Sequence, residues 1–529
     1  MKLTCACKLT SILLAASPVL AAPFTSFNPA AILSTRQAGL PDALTCLSSS
    51  WPPTTVGRDN ELQSPDSDLT NLLSQVSPAN IEAHILKLVS FSTRATLSVN
   101  ISNSTFGIGG ARDWLLDEFK TYATPENGLN VSLNSYIQGP DGARILFPVN
   151  ISNIVAFLPG TTYKSPEDPG RIYLISGHYD SRVSDVNNYW DPAPGADDDG
   201  SGVALSLELC RIFSQTSAPK LRASLVFVAV AGEEQGLYGS TNLAFTYRNA
   251  TPPIEISGML DNDIVGSPKA RNTYDTGNEN MDADPNTIRL FAQGLPSLTV
   301  ENATVRASRL SVGGENDSPA RNLARLIKEV SENEATNMSV AIQYRQDRYL
   351  RSGDHVPFLN AGYTAVRFTE PYEDFRHQHQ DVRVAVDPDY PDAPAVQYGD
   401  LPEFVDYEYT ARVGKVNLAA MYSLAQSPGV PRNVYINGTA LGNDSQFVWD
   451  PPVEGEEYVA GYELVWRATT APQWQKVVDL QMGEELEGST TGTRTVTIGV
   501  SKDNVVFGIR AVSTDGHRSV AAFPFPLPS

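Results

Sequence analysis

The chain has 529 residues, with 39 Lys+Arg against 60 Asp+Glu, a formal net charge of −21. The acidic balance excludes DNA or RNA as a partner, because phosphate binding needs a basic face. With 41% hydrophobic and 19% charged residues the chain can bury a core, which excludes wholesale disorder, and four cysteines exclude a disulfide scaffold. At about 150 residues per domain the length predicts roughly two to four domains.

The N-terminus, MKLTCACKLTSILLAASPVLAAPF, carries Lys2 and Lys8, an apolar run over 9–16, and small residues at Ala21 and Ala22. This is a secretory signal pattern over 1–21, too short to anchor in a bilayer. No later segment approaches the roughly 18 apolar residues of a membrane span. The expectation is a secreted, extracellular protein. Asn-x-Ser/Thr sites at Asn100, Asn103, Asn130, Asn150, Asn249, Asn302, Asn316, Asn337, Asn437 and Asn443 support it as glycosylation acceptors. Cys46 and Cys210 outlast the signal and permit at most one intrachain bridge; Cys210 sits in an apolar helical run and reads as a packed thiol.

Residues 22–78 are rich in Ser, Pro and Thr and read as a pro-region or loose N-terminal arm. Helical periodicity begins at 80–90 and returns at 110–122. An alternation follows: strand 171–176, helix 202–214, strand 224–231, helix 237–247, strand 256–261, then helices at 317–330, 355–360 and 404–424. Strands alternating with helices predict an α/β domain over 79–427 with a mostly parallel mixed sheet flanked by helices. After Ser427 the pattern changes to short alternating runs separated by turn residues, the signature of a β-sandwich over 428–529. Trp449 before Pro451-Pro452, Tyr462-x-x-x-Trp466 and FGIRAVSTDGHRS resemble a fibronectin type III module.

Five stretches carry chemistry. ISGHYDS places His178 and Asp180 two residues apart at a strand end, pointing to the same side. PGADDDGSG brings Asp197, Asp198 and Asp199 together in a glycine-bounded loop, tolerable in solvent or around a cation. AGEEQGLYGS follows a buried strand with Glu233 and Glu234, MLDND offers Asp261 and Asp263, and DFRHQHQD offers His377, His379 and Asp381. Each alone is compatible with a solvated loop or a helix cap. In order behind successive strands they converge on one rim of the sheet, where ligands of such folds bind. Two histidines with several carboxylates suit zinc, with manganese or cobalt as the alternatives, and their number fits two metals rather than one.

These motifs, with SGDH at 352–355, resemble the co-catalytic di-zinc peptidase family of secreted bacterial and fungal leucine-type aminopeptidases, which has glutamate carboxypeptidase and glutaminyl cyclase as cousins. The resemblance spans about 80–427. It implies a phosphorylase/hydrolase-like α/β domain, two Zn2+ ions and exopeptidase activity on peptide or protein substrates. By motif, His178, Asp198, Glu234, Asp261 and His377 match the metal ligands, Glu233 the general base and Asp180 the carboxylate that orients the site. Asp197 or Asp199 competes with Asp198, Asp263 with Asp261, and His379 with His377. Asp354 reads as a helix N-cap, and His355 as a neighbour of the site. The long segment 266–319 departs from compact relatives and is expected to cover or reshape the substrate cleft.

Acidic surroundings favour an aminopeptidase; a carboxypeptidase would want an arginine clamp, for which Arg367 and Arg376 are the candidates. The competing readings are a carboxypeptidase, a glutaminyl cyclase-like enzyme, and a non-catalytic secreted binding protein.

Overall fold

The computed structural model describes residues 52, 55–271, 281–388, 391–489 and 492–528. The signal sequence and Cys46 lie outside the described residues. Among the described residues no helix is long and apolar enough to cross a membrane.

The central sheet is built from β2 (Asn130–Gln138), β3 (Val149–Leu158), β4 (Ile172–His178), β5 (Ser224–Val230), β6 (Ile256–Asn262), β9 (Thr287–Ala292), β10 (Ser339–Gln343) and β11 (Ala365–Thr369). Between β6 and β9 lies a short ribbon of β7 (Lys269–Arg271) and β8 (Met281–Ala283). The spatial order of the sheet is β10-β9-β11-β6-β4-β5-β3-β2. The block β11-β6-β4-β5 is parallel; β9 meets β11 antiparallel, and β3 and β2 extend the other side antiparallel. The sheet is therefore mixed, with its parallel part at the centre.

β4 (IYLISGH) and β5 (SLVFVAV) are buried at every position, as expected of parallel strands covered on both faces. The chain runs from β4 through α4 (Gly200–Phe213) to β5, then back through α5 (Tyr238–Arg248) to β6 on the far side of β4. Right-handed crossovers in opposite directions put these two helices on opposite faces. On the face of α4 lie α2 (Pro78–Val89), α7 (Pro319–Ser331) and α9 (Tyr407–Gln426); α5 pairs with α8 (His355–Ala361) on the other. The remaining helices are α1 (Ser67–Leu73), α3 (Gly107–Thr121), packed along β2 and β3, and α6 (Ala303–Ser311). Cys210 is a buried thiol in α4.

A ribbon of β12 (Arg383–Ala385) and β13 (Val396–Tyr398) precedes α9. The C-terminal residues form two sheets around a shared core of Phe447, Trp449, Tyr462, Leu464, Phe507 and Ile509. One holds β16 (Val459–Ala468), β17 (Lys476–Gln481) and β20 (Val505–Ser513); the other holds β14 (Arg432–Ile436), β15 (Ser445–Asp450), β18 (Glu484–Glu485), β19 (Arg494–Ile498) and β21 (Phe525–Pro526).

Two expectations change here. The stretch read as a loose arm up to residue 78 is built into the fold from Thr55 onward. β1 (Arg58–Asp59) adds to the first sandwich sheet, antiparallel to β17. Gln63 N then donates to Glu329 O at 3.0 Å, and α1 buries Leu69, Leu72 and Leu73. Polar composition concealed this, because a single edge pairing and a short amphipathic helix leave little periodicity. Among its described residues the segment 266–319 adds nothing to the lining of the cleft either. It supplies β9 to the sheet, and α6 turns toward the sandwich, where the Arg309 guanidinium sits 4.9 Å from the Phe525 ring centre.

Candidate active site

Backbone register sets the site. β4 and β6 are parallel neighbours in which Ser176 pairs with Asp261, and β4 meets β5 with His178 opposite Val230. Two residues beyond the Ser176 pairing, His178 lies level with Asp263. Just past the end of β5 come Glu233 and Glu234. The acidic loop in front of α4 enters the same rim, with a cis peptide between Asp198 and Asp199.

Asp198 stands at the centre. Its Oδ1 lies 3.2 Å from His178 Nε2 and its Oδ2 2.9 Å from His379 Nε2. His379 Nε2 is also 3.0 Å from Glu234 Oε1, and His178 Nε2 is 3.8 Å from Asp263 Oδ1. Two groups result, His178–Glu233–Asp263 and Asp198–Glu234–His379, each with donor atoms within 4.8 Å of one another. Among the described residues Asp263 Oδ1 is buried without a hydrogen-bond partner. Buried carboxylate oxygens normally find a donor or a cation. Imidazole and carboxylate donors at this spacing fit zinc.

The electrostatics agree. Burial opposes charge on His178, but Asp198 and Asp263 outweigh it and hold the imidazolium well above its ordinary range. Burial likewise opposes charge on His379, yet Glu234 and Asp198 push it up to about 10. Burial alone would raise Asp198; His379 and His178 hold it well below the carboxylate range instead. Positive charge among these carboxylates is strongly favoured, and a divalent cation meets the same demand. Glu233 behaves oppositely. Burial, reinforced by Glu234, Asp263 and Asp354, pushes its carboxyl well above the ordinary range despite His178.

Other buried groups hold the donors in place. Asp180 Oδ1 and Oδ2 accept from the backbone N–H of Glu233 (3.2 Å) and Glu234 (3.1 Å), which fixes the Glu-Glu turn. The Asp180 carbonyl oxygen lies 3.0 Å from His178 Nδ1, which directs Nε2 at the cluster. Asp199 accepts from His178 N and caps α4 through Gly202 N. The Asp400 oxygens accept from the N–H groups of Asp197 and Asp198, each at 2.8 Å. Arg94, fully buried, donates to the carbonyls of Tyr179, Pro194 and Gly195 and clamps the acidic loop.

His178, Asp180, Asp198, Glu233 and Glu234 thus converge as their motifs suggest. Asp261 and His377 do not join them. Asp261 lies one pleat deeper in β6: Ser176 Oγ donates to its Oδ1 at 3.0 Å, and His355 N and Nδ1 approach its Oδ2 at 3.2 and 3.3 Å. Asp263, past the strand end, takes the place assigned to Asp261. His377 stacks on Phe404, with ring centres 3.6 Å apart, and faces a different cavity. His379, in left-handed backbone at φ +51°, turns back to the cluster in its stead. His355 supports Asp261, and Asp354 makes no side-chain cap to its helix. Arg367 is no free clamp, since it pairs with Asp263 at 2.9 Å and Asp347 at 3.1 Å; Arg376 pairs with Asp374. Sequence reasoning passed over Arg94 and Asp400, which stand outside any motif.

The cluster opens onto a cavity of about 450 Å3, and no described residue of 266–319 lines it. An α/β sheet with a two-group imidazole–carboxylate cluster at its carboxyl rim defines a metal-dependent hydrolase. A profile of peptidase family M28 matches residues 153–395. A probable zinc metalloprotease of Pyrenophora teres f. teres is 49% identical over 94% of this chain and 96% of its own length. One from Pyricularia oryzae is 48% identical over 96% and 94%. The chain therefore belongs to peptidase family M28 and is a zinc metallopeptidase. Among solved structures, Legionella pneumophila LapA aminopeptidase aligns with a TM-score of 0.43 and 16% identity over 70% of this chain and 76% of its own. Fimbriiglobus ruber glutaminyl cyclase aligns with a TM-score of 0.44 and 17% identity over 66% and 95%.

Proposed function

We propose that the protein is a secreted exopeptidase that works with two zinc ions and acts as an aminopeptidase. The observation that carries the two-ion reading is Asp198, whose two oxygens face His178 and His379 separately. His178 and Asp263 would hold one ion, Glu234 and His379 the other, with Asp198 shared. Bound zinc supplies Lewis acidity and activates water near neutral pH. Glu233 lines the cavity beside the cluster, half-buried, where its carboxylate can take a proton from the attacking water and return it to the departing amine. Asp180 keeps Glu233 and Glu234 in register through their backbone N–H groups. Arg367 fixes Asp263 from behind.

Secretion rests on the N-terminal signal pattern and on the sequons. Asn100, Asn103, Asn130, Asn249, Asn302, Asn337 and Asn443 are exposed, while Asn150, Asn316 and Asn437 are half-buried. We assign the C-terminal sandwich to the fibronectin type III-like class on its two sheets and Trp449–Tyr462 core. The test of the enzymatic reading is metal analysis joined to assay. Purified protein should hold two zinc ions per chain and cleave amino-acid anilides, with chelation abolishing turnover and zinc restoring it. One zinc at full activity overturns the two-ion reading; cleavage of only amino-blocked peptides overturns aminopeptidase action.

A further inference from the structure

The cavity above the cluster has a second wall. Its acidic lining residues are Asp198, Glu233, Glu234 and Asp263, all members of the cluster itself. The rest of the charged lining, His379 apart, is arginine: Arg144, Arg182, Arg348 and Arg351. In a chain with far more acids than bases, four arginines around one cavity are a local reversal of charge.

They are not equivalent. Arg348 and Arg351 share Glu373, which fastens them to the protein; Arg348 Nη1 lies 3.1 Å from its Oε2. Among the described residues Arg182 donates only to the carbonyls of Val183 and Ser184, at 3.1 and 3.3 Å. Arg144 donates to the Glu234 carbonyl at 2.7 Å. Among the described residues neither Arg144 nor Arg182 has a carboxylate partner, although Asp381 approaches the same loop through Ser184. Each guanidinium presents a planar fork of donors that matches a carboxylate bidentately. Leu237 and Ile264 supply apolar surface between the two walls.

We propose that this arginine wall is a carboxylate-recognition subsite, so that the enzyme prefers peptides bearing a carboxylate beside the scissile bond. The source is an acidic side chain or the free C-terminus of a very short peptide. The inference rests on the peptidase reading above and names its substrate class.

The test compares Leu-Glu and Leu-Gln, each as free acid and as C-terminal amide, with the zinc-loaded wild type and with Arg182→Gln and Arg351→Gln. A charge-assisted contact predicts a kcat/KM advantage of about tenfold or more for the carboxylate-bearing peptides, carried mainly in KM. Preference for Leu-Glu-amide over Leu-Gln-amide assigns the side chain; preference for Leu-Gln over its amide assigns the C-terminus. Both variants should shrink the ratio, and added salt should shrink it in the wild type. Equal rates on all four peptides, or an unchanged ratio in both variants, overturns the subsite. Calorimetric titration of glutarate gives a second readout without turnover, with binding expected to weaken in Arg182→Gln. Failure to cleave any peptide overturns the peptidase reading instead; equal glutarate binding in the two proteins overturns the subsite alone.

Discussion

Arg510 Nη1 of β20 lies 2.9 Å from Glu329 Oε2 of α7, and both side chains are buried. The sandwich and the peptidase body are joined here by a charge network rather than by a linker alone. Arg510 also pairs with Glu463 at 2.7 Å, Arg518 pairs with Glu329, and Asn60 donates to Glu329 at 3.1 Å. Nearby, Asp317 joins Arg325 at 2.9 Å to Arg467 of the sandwich at 2.7 Å.

Removing one partner of a buried pair leaves the others charged and unmatched. Glu329→Ala is expected to cost about 3–5 kcal/mol. Urea denaturation followed by intrinsic fluorescence measures it. The wild type should unfold in one transition, and the variant should lose that cooperativity or shift its midpoint down. A sandwich that melts independently, with the same midpoint in both proteins, contradicts the coupling.

The cluster predicts a metal pattern that separates residues two positions apart. Asp263→Asn and His379→Ala should each lower bound zinc, because both residues offer donors to the cluster. Asp261→Asn and His377→Ala should retain it, because those side chains face Ser176 and His355, and Phe404. Plasma mass spectrometry of the purified variants, with circular dichroism to confirm folding, decides. Loss of zinc in the second pair with retention in the first reverses the assignment.

Glu233→Gln keeps the shape of the turn that Asp180 fixes through its backbone acceptors. It should therefore keep zinc while kcat falls by about 10²–10⁴-fold. Near-normal turnover would remove Glu233 as the proton carrier.

Glu373 supplies a pH dependence. Burial alone would raise its carboxyl, but Arg348, Arg351, Arg289 and Arg367 hold it down to about 2. A depressed carboxyl contributes stability that is fully present above its unfolded value of about 4.3. That contribution drains away as pH falls through the folded value. Wild type should exceed Glu373→Gln in stability at pH 6, and the gap should close from about pH 4 downward. Denaturation midpoints at several pH values check this; a gap that widens in acid is incompatible with it.

Much of this site was legible because its residues follow strands. Apolar runs ending in His178, in Val230 and near Asp261 mark three strand ends, and the strand-end rule brings them together. The choice between Asp261 and Asp263 was not legible, since MLDND offers two acids of one kind at the same parity. Only the pairing of Ser176 with Asp261 shows which is level with His178. His377 and His379 likewise differ only in how a non-repeating loop turns. Arg94 lies in FSTRATLS, where nothing local betrays a buried clamp, and its partners are carbonyls 85 to 101 residues downstream. The arginine wall joins Arg144 and Arg182 to the neighbouring pair Arg348 and Arg351, so no single stretch of sequence displays it whole.

Strand β1 has a consequence for how the molecule is made. Asp59 and its partner Lys476 are 417 positions apart. While the ribosome works, the stretch around Arg58 has no edge to join, and the edge, when it emerges, belongs to the last part of the chain. Loop closure over such a span is entropically costly and slow to find. Any product that stops short of Lys476 carries an open strand with nothing to cover it. The pairing of Arg58 and Asp59 thus forms only after synthesis has passed Val477.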